Sequence, residues 1–250
     1  MVGVKIFAES LADQVFRFLE KEIVEGRLKP GQRILEKDLT TRLGISRTPI
    51  REALLKLEVA GIVVCNSRRS YNVRILTVTD VKETFEILGI MEGAVVRSVA
   101  PTLTESDLTL LREYNRRMAE EGRRGDFHAY GAWNEKFHDV FISKYRNRSV
   151  RGLCDTVRRL LYTFPVRNDS LLEWIEKSVM EHEEIIRLAA AKNGPALEAF
   201  FREVHWNHHS HGRYIEHAFA GDGPSSSQPL AQAEKPGEQM VHPSGEVEAA

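Results

Sequence analysis

Three observations predict a mainly α protein: apolar residues recur at helical spacing through most of residues 10–219, one β-branched hairpin pattern falls near residues 62–75, and the C-terminal thirty or so residues almost lack large apolar side chains. The predicted fold is an N-terminal winged helix-turn-helix over residues 8–76, followed by an antiparallel helical bundle of about six helices over residues 77–220. Residues 221–250, rich in Gly, Pro, Ser, Gln and Glu, cannot offset their ordering entropy and are expected to form a disordered tail.

The elements follow in order. Ser10 is a plausible N-cap for a helix over 10–26, in which Leu11, Val15, Phe18, Leu19 and Ile23 share one face and Gly26 stops the chain. The segment LKPGQRI reads as a turn, and Leu35 to Leu43 as a short helix ended by Gly44. A third helix begins near Ser46, with Pro49 in its first turn where the missing N–H is not needed, and ends at Gly61. Ile62, Val63 and Val64, then Tyr71, Val73 and Ile75, flank the polar tip CNSRRS as a hairpin. Beyond it, Thr79 is expected to cap a helix to Ala100, and Thr104 with Asp107 reads as a capping pair for the next. Further helices are predicted over 126–145, 147–163, 169–192 and 195–219, separated by Gly125, Arg146-Asn147, Pro165 and Asn193-Gly194-Pro195.

Bulk properties restrict the setting. Two cysteines, Cys65 and Cys154, make no disulfide framework, and no apolar run approaches the roughly 18 residues of a membrane span. A cytoplasmic protein is expected, with no membrane partner. The formal net charge of −1 conceals an asymmetry. Residues 1–76 hold 14 Lys and Arg against 9 Asp and Glu, a net +5, whereas residues 77–220 hold 20 against 22, a net −2. Such a split suits a chain in which one part meets a polyanion.

The stretch GISRTPIREALLKLEVAGIVV concentrates the question. At about 100° per residue, Ile50, Leu54 and Leu57 line one face, with Arg47, Thr48 and Arg51 in another sector. If this is the second helix of a helix-turn-helix, its N-terminal residues enter the major groove, where arginine bonds guanine O6 and N7 in pairs. Lys37 on the preceding helix, and Arg68 and Arg69 at the hairpin tip, would extend the positive surface toward phosphates or the minor groove. Spacing alone is equally compatible with a solvated helix face.

Residues 10–64 resemble the DNA-binding domain of GntR-type transcription regulators, most specifically in the signature L-x-E-x-x-L followed by GxSRTPxREAL. The resemblance implies that Lys37, Ser46, Arg47, Thr48 and Arg51 face double-stranded operator DNA. Ser70 departs from the pattern, because glycine is usual near the wing tip.

A second constellation is histidine-based. Asn134 and His138, i and i+4 on one helix, can reach a common point, and His182 and His205 lie on two later helices. Neutral imidazoles from several bundle helices, with an oxygen ligand, suit a divalent transition metal such as Zn²⁺ or Ni²⁺. Each histidine taken singly also fits a packed or surface position. In the run HWNHHSHG, His205 with His209, and His208 with His211, have spacings that chelate a surface metal as readily as they decorate a helix end.

Residues 81–217 are similar to the all-helical FCD effector domain of the FadR branch, most clearly at F85-E86, E92-G93, N134-E-K-F-H138 and E181-H182-E-E-I-I. This implies a metal held by Asn134, His138, His182 and His205. Asn134 is neutral where an aspartate is common. The longer spacing to the last helix keeps His208 and His209 open as alternatives to His205, and Leu88 stands where an arginine often holds a carboxylate effector. The expectation is a homodimeric repressor released by a small carboxylate or other anionic effector near the metal. No nucleophile and base occur at recognisable spacing. Two rivals are a pure metal sensor and a metal-dependent enzyme using Glu135 or Glu181 as acid or base. Arg97, Arg151 and Arg158 are further anion contacts to test.

Overall fold

The computed structural model describes residues 9–67, 70–163 and 171–219. Arg68, Arg69, the Pro165 break and the tail expected over 221–250 lie outside the described residues.

Helix α1 (Leu11–Val24) is capped by Ser10, whose hydroxyl accepts the Asp13 N–H at 3.1 Å. Gly26, at φ 71°, ends the turn that follows. Helices α2 (Glu36–Leu43) and α3 (Arg47–Val59) are joined through Gly44, which takes the left-handed conformation at φ 67°. Ile50, Ala53, Leu54 and Leu57 bury the inner face of α3 against α1 and α2. The hairpin β2 (Val63–Ser67) and β3 (Ser70–Val73) pairs Val63 with Val73.

A third strand, β1 (Arg33–Leu35), adds to the other side of β3, giving the order β1-β3-β2. The turn expected at LKPGQRI therefore runs into a strand. Its three residues are too short to show a period, and Ile34 is buried only because it sits opposite Tyr71.

In the helical part, α4 (Val78–Val99) is capped by Thr77 rather than Thr79. Asp80 is the reason: as the third helical residue its carboxylate takes the Thr77 N–H at 2.8 Å while Thr77 Oγ1 accepts the Asp80 N–H at 3.1 Å. The Thr104 and Asp107 pair caps α5 (Glu105–Arg124) as expected. Then come α6 (Phe127–Ile142), α7 (Arg148–Thr163), α8 (Leu171–Ala190), α9 (Gly194–Phe200) and α10 (Gly212–Phe219).

The helix predicted over 195–219 is interrupted. Phe201–His205 form a π turn, and residues 206–211 separate it from α10. Such turns re-aim side chains and concentrate at functional positions. The segment lies close against α4, where a Cβ on Gly93 would stand 3.0 Å from Arg202 Cγ, so a larger residue there would require the Arg202 side chain to shift. The two parts of the chain also touch: α7 Arg159 Nη1 lies 2.8 Å from α1 Glu20 Oε1.

Candidate nucleic-acid interface and metal centre

At the start of α3 the fold leaves a polar corner uncovered. Ser46, Arg47, Thr48 and Arg51 are exposed, as is Lys37 on α2. The Ser46 side chain makes no capping bond. The apolar and polar sectors of α3 are thus separated as the spacing requires. Arg51 is tethered: its Nε lies 3.2 Å from Oε1 of Glu36, a carboxylate only 5% exposed at the head of α2. Sequence reasoning placed Glu36 within the family signature but gave it no role, since locally it is only an acid in a first helical turn.

Inside the bundle, α6, α8 and the π turn bring together buried His138, His182 and His205, each offering a ring nitrogen within 4.8 Å of the others. That spacing can hold a metal ion. Nε2 of His138 and Nε2 of His205 face each other at 3.4 Å. Asn134 is buried on the same α6 face as His138, and its Nδ2 donates to the Tyr162 hydroxyl. His208 and His209 stay outside, their rings 4.1 Å apart near the surface.

Two carboxylates flank this group. Glu181 Oε2 is 2.9 Å from His205 Nδ1, and Glu92 Oε2 is 2.8 Å from His138 Nδ1. Trp206 Nε1 donates to Glu92 Oε2 at 3.0 Å, and Arg158 Nε lies 3.4 Å from Glu92 Oε1. Burial opposes ionisation of Glu92, but His138, Arg158 and Trp206 outweigh it and bring its pKa down to about 2. Glu181, desolvated yet hydrogen-bonded by His205 and His211, is likewise held well below the usual carboxylate range. Burial pushes the pKa of His182 well below its ordinary value, and lowers that of His138 against the pull of Glu92. Burial thus favours the neutral imidazole at both, the form that binds metals.

Several polar atoms here lack hydrogen-bond partners among the described residues: both nitrogens of His182, Oδ1 of Asn134, Nδ1 of His138, Oε1 of Glu92, Nε of Arg158 and Nε2 of His211 are buried and unsatisfied. Buried polar groups are normally paired, so the cluster has unused ligand capacity. Arg158, one of the arginines named as anion contacts, is committed to Asp139 at 2.6 Å and Asp155 at 3.0 Å as well as to Glu92. Arg97 pairs with Glu198, and Arg151 donates to the Ser143 carbonyl. Leu88 is fully buried.

Residues 11–73 match the bacterial regulatory proteins of the gntR family, and residues 83–205 match the FCD domain. The chain is 30% identical over 196 residues to the HTH-type transcriptional regulator YdhC of Bacillus subtilis, covering 78% of this chain and 87% of that one. It belongs to the GntR family. This GntR-family chain is also 31% identical over 194 residues to the transcriptional repressor RspR of Escherichia coli, covering 74% of this chain and 81% of the relative. Its fold matches the solved structure of E. coli McbR with a TM-score of 0.66 at 22% identity, covering 83% of this chain and all (100%) of that one. A GntR regulator from a Rhodococcus species gives a TM-score of 0.63 at 24% identity, covering 85% and 97%.

The protein is accordingly a transcription regulator with a DNA-binding head and an FCD domain, not an enzyme. Glu181, named in the enzymatic alternative, is engaged by His205, His211 and Lys177. Among the described residues no helix is long and apolar enough to cross a membrane.

Proposed function

We propose that this regulator is a cytoplasmic repressor with a DNA-reading part over residues 8–76 and an effector part over 77–220. It binds a palindromic operator as a homodimer and leaves it when a small carboxylate or other anionic effector occupies the FCD domain. Lys37, Ser46, Arg47, Thr48 and Arg51 face the DNA in this reading, with Arg68 and Arg69 added from the wing. A two-fold protein reading half-sites about one helical turn apart needs a self-complementary contact. We assign that contact to the outward face of α4, where Ile87 and Ile90 are 44% and 54% exposed.

The effector site is read around a divalent ion, Zn²⁺ or Ni²⁺, held by His138, His182, His205 and Asn134. One observation carries this: with each Nδ1 turned to a carboxylate, the Nε2 atoms of His138 and His205 face each other at 3.4 Å, placed so that one cation can take both lone pairs. The unsatisfied nitrogens of His182 and Oδ1 of Asn134 favour an ion that all four side chains share. Such an ion supplies coordination positions for an effector oxygen, a role for which Leu88 offers no cation.

The protein's own residues then connect this site to the head. Arg158 contacts Glu92 in the centre, and the next residue of α7, Arg159, holds Glu20 on α1. Coupling between effector and operator is reciprocal. Operator binding measured by fluorescence anisotropy against a panel of small organic acids, with and without chelator, tests the reading. Release by an acid that chelation abolishes supports it. DNA affinity that follows metal alone makes the protein a metal sensor instead.

A further inference from the structure

We propose that Glu92, Glu181 and Tyr162 are positioning residues that set the tautomers of His138 and His205 and the amide orientation of Asn134, so that a lone pair of each is turned into the centre. The proposal rests on the metal-centred reading above for its purpose, but its geometry stands without it. A neutral imidazole has one N–H and one acceptor nitrogen, and an ionised carboxylate only accepts. Glu181 Oε2, 2.9 Å from His205 Nδ1, therefore assigns the hydrogen to Nδ1 and the lone pair to Nε2.

Glu181 is itself oriented. Its Oε1 receives Lys177 Nζ at 2.5 Å and faces His211 Nε2 at 3.3 Å. The indole Nε1–H of Trp174 donates to His211 Nδ1 at 2.9 Å. Indole nitrogen can only donate, so His211 Nδ1 must accept and His211 Nε2 carries the hydrogen toward Glu181. The tautomer of His211 is thereby determined, and its Nε2 stands beside Glu181 as an ion-pair contact rather than a hydrogen bond. Helix α8, the π turn and the segment 206–211 that follows it contribute to this series.

Glu92 plays the same part from α4. Its Oε2 accepts the Trp206 indole N–H and lies 2.8 Å from His138 Nδ1, an ion-pair contact outside hydrogen-bond geometry that favours the hydrogen on Nδ1, while His138 Nε2 faces inward toward His205. Asn134 follows the same logic with different chemistry. Its Nδ2 donates to the Tyr162 oxygen, so Oδ1 remains as the buried, unsatisfied end. His182 has no such partner and is held by its ring, stacked on Phe137 at 4.0 Å and 17°.

The test uses the full-length protein, with Glu181→Gln, Glu92→Gln and Trp174→Phe variants. Long-range ¹H–¹⁵N spectra of the metal-free wild type should show Nδ1–H tautomers for His138 and His205. E181Q should give a mixture at His205 alone, and E92Q a mixture at His138 alone. W174F, which removes only the far donor and leaves the carboxylate in place, should mix the tautomers of His211. Zn²⁺ affinity, measured by competition with a chromophoric chelator, should fall about 10- to 100-fold in E181Q and E92Q. Nε2–H tautomers in the wild type, or wild-type zinc affinity in both glutamine variants, overturns the proposal. Nδ1–H tautomers in a wild type that takes up no zinc would support the positioning while sinking the metal reading.

Discussion

Arg159 on α7 holds Glu20 on α1 across the junction between the two parts of the chain, at 2.8 Å, one residue after Arg158 enters the histidine centre. Arg159 also lies over the Phe16 ring at 5.7 Å. A partly exposed ion pair contributes little stability, about 0–1 kcal/mol, so its value is geometric. Arg159→Ala should leave the melting temperature nearly unchanged and effector-free operator affinity within about threefold, while shrinking the effector-induced loss of binding. Equal effector response in wild type and variant would remove α7 from the coupling route.

The two arginines of α3 should separate by their second effects. Arg47→Ala and Arg51→Ala are each expected to cost on the order of 1 to 3 kcal/mol of specific binding at fixed salt. Arg51→Ala alone also deprives buried Glu36 of a partner, and should lower thermal stability where Arg47→Ala does not. Unchanged operator binding in both variants would sink the assignment of α3 as the reading helix.

Metal removal gives a third prediction. Elemental analysis of protein carrying His138→Ala with His182→Ala should find no stoichiometric Zn or Ni, and adding Zn²⁺ should raise the melting temperature of wild type only. Metal retained in stoichiometric amount by the double variant would refute those ligands.

Asp107 supplies a pH dependence. Desolvation raises its pKa, but the Thr104 backbone N–H, Lys144 and the Thr104 hydroxyl together lower it below the ordinary value. A carboxyl whose folded pKa is depressed stabilises fully above its unfolded pKa, and that contribution disappears as pH falls through the folded pKa. Asp107→Asn should cost about 1 kcal/mol near neutrality, as loss of a cap does, and should flatten the acid limb of the stability curve. Parallel acid limbs in denaturation of the two proteins would argue against it.

Dimer formation is tested on α4. Ile90→Glu should shift the protein toward monomer in sedimentation and weaken operator binding, because each half-site alone loses the joined partner. A dimer of unchanged strength would move the two-fold contact elsewhere.

Much of the fold was legible because its signals are local. Glycines at 26, 44, 61 and 125 all adopt positive φ where stops were expected, and the Thr104 and Asp107 box formed at the expected cap. The misreadings share a cause. Thr77 displaced Thr79 because Asp80 sits at the reciprocal position, and β1 formed because β3 offered it an edge. The helix over 195–219 is interrupted where Phe201–His205, packed against α4, wind as a π turn.

By itself the sequence determined most of the helix faces, the Ser10 and Thr104 caps, the separation of Arg47 and Arg51 from the apolar ladder, and the placing of Asn134 and His138 on one helix face. Those depend on periodicity and on residue type, which neighbours in the chain express. Tertiary structure alone decided that His205, rather than His208 or His209, joins the buried trio, and that Glu92 and Glu181 stand behind the two facing imidazoles. Trp206 and Glu92 are 114 positions apart and meet where Gly89 of α4 lies against Trp206 and the Arg202 backbone. No local pattern encodes a contact of that separation; close packing of helices does.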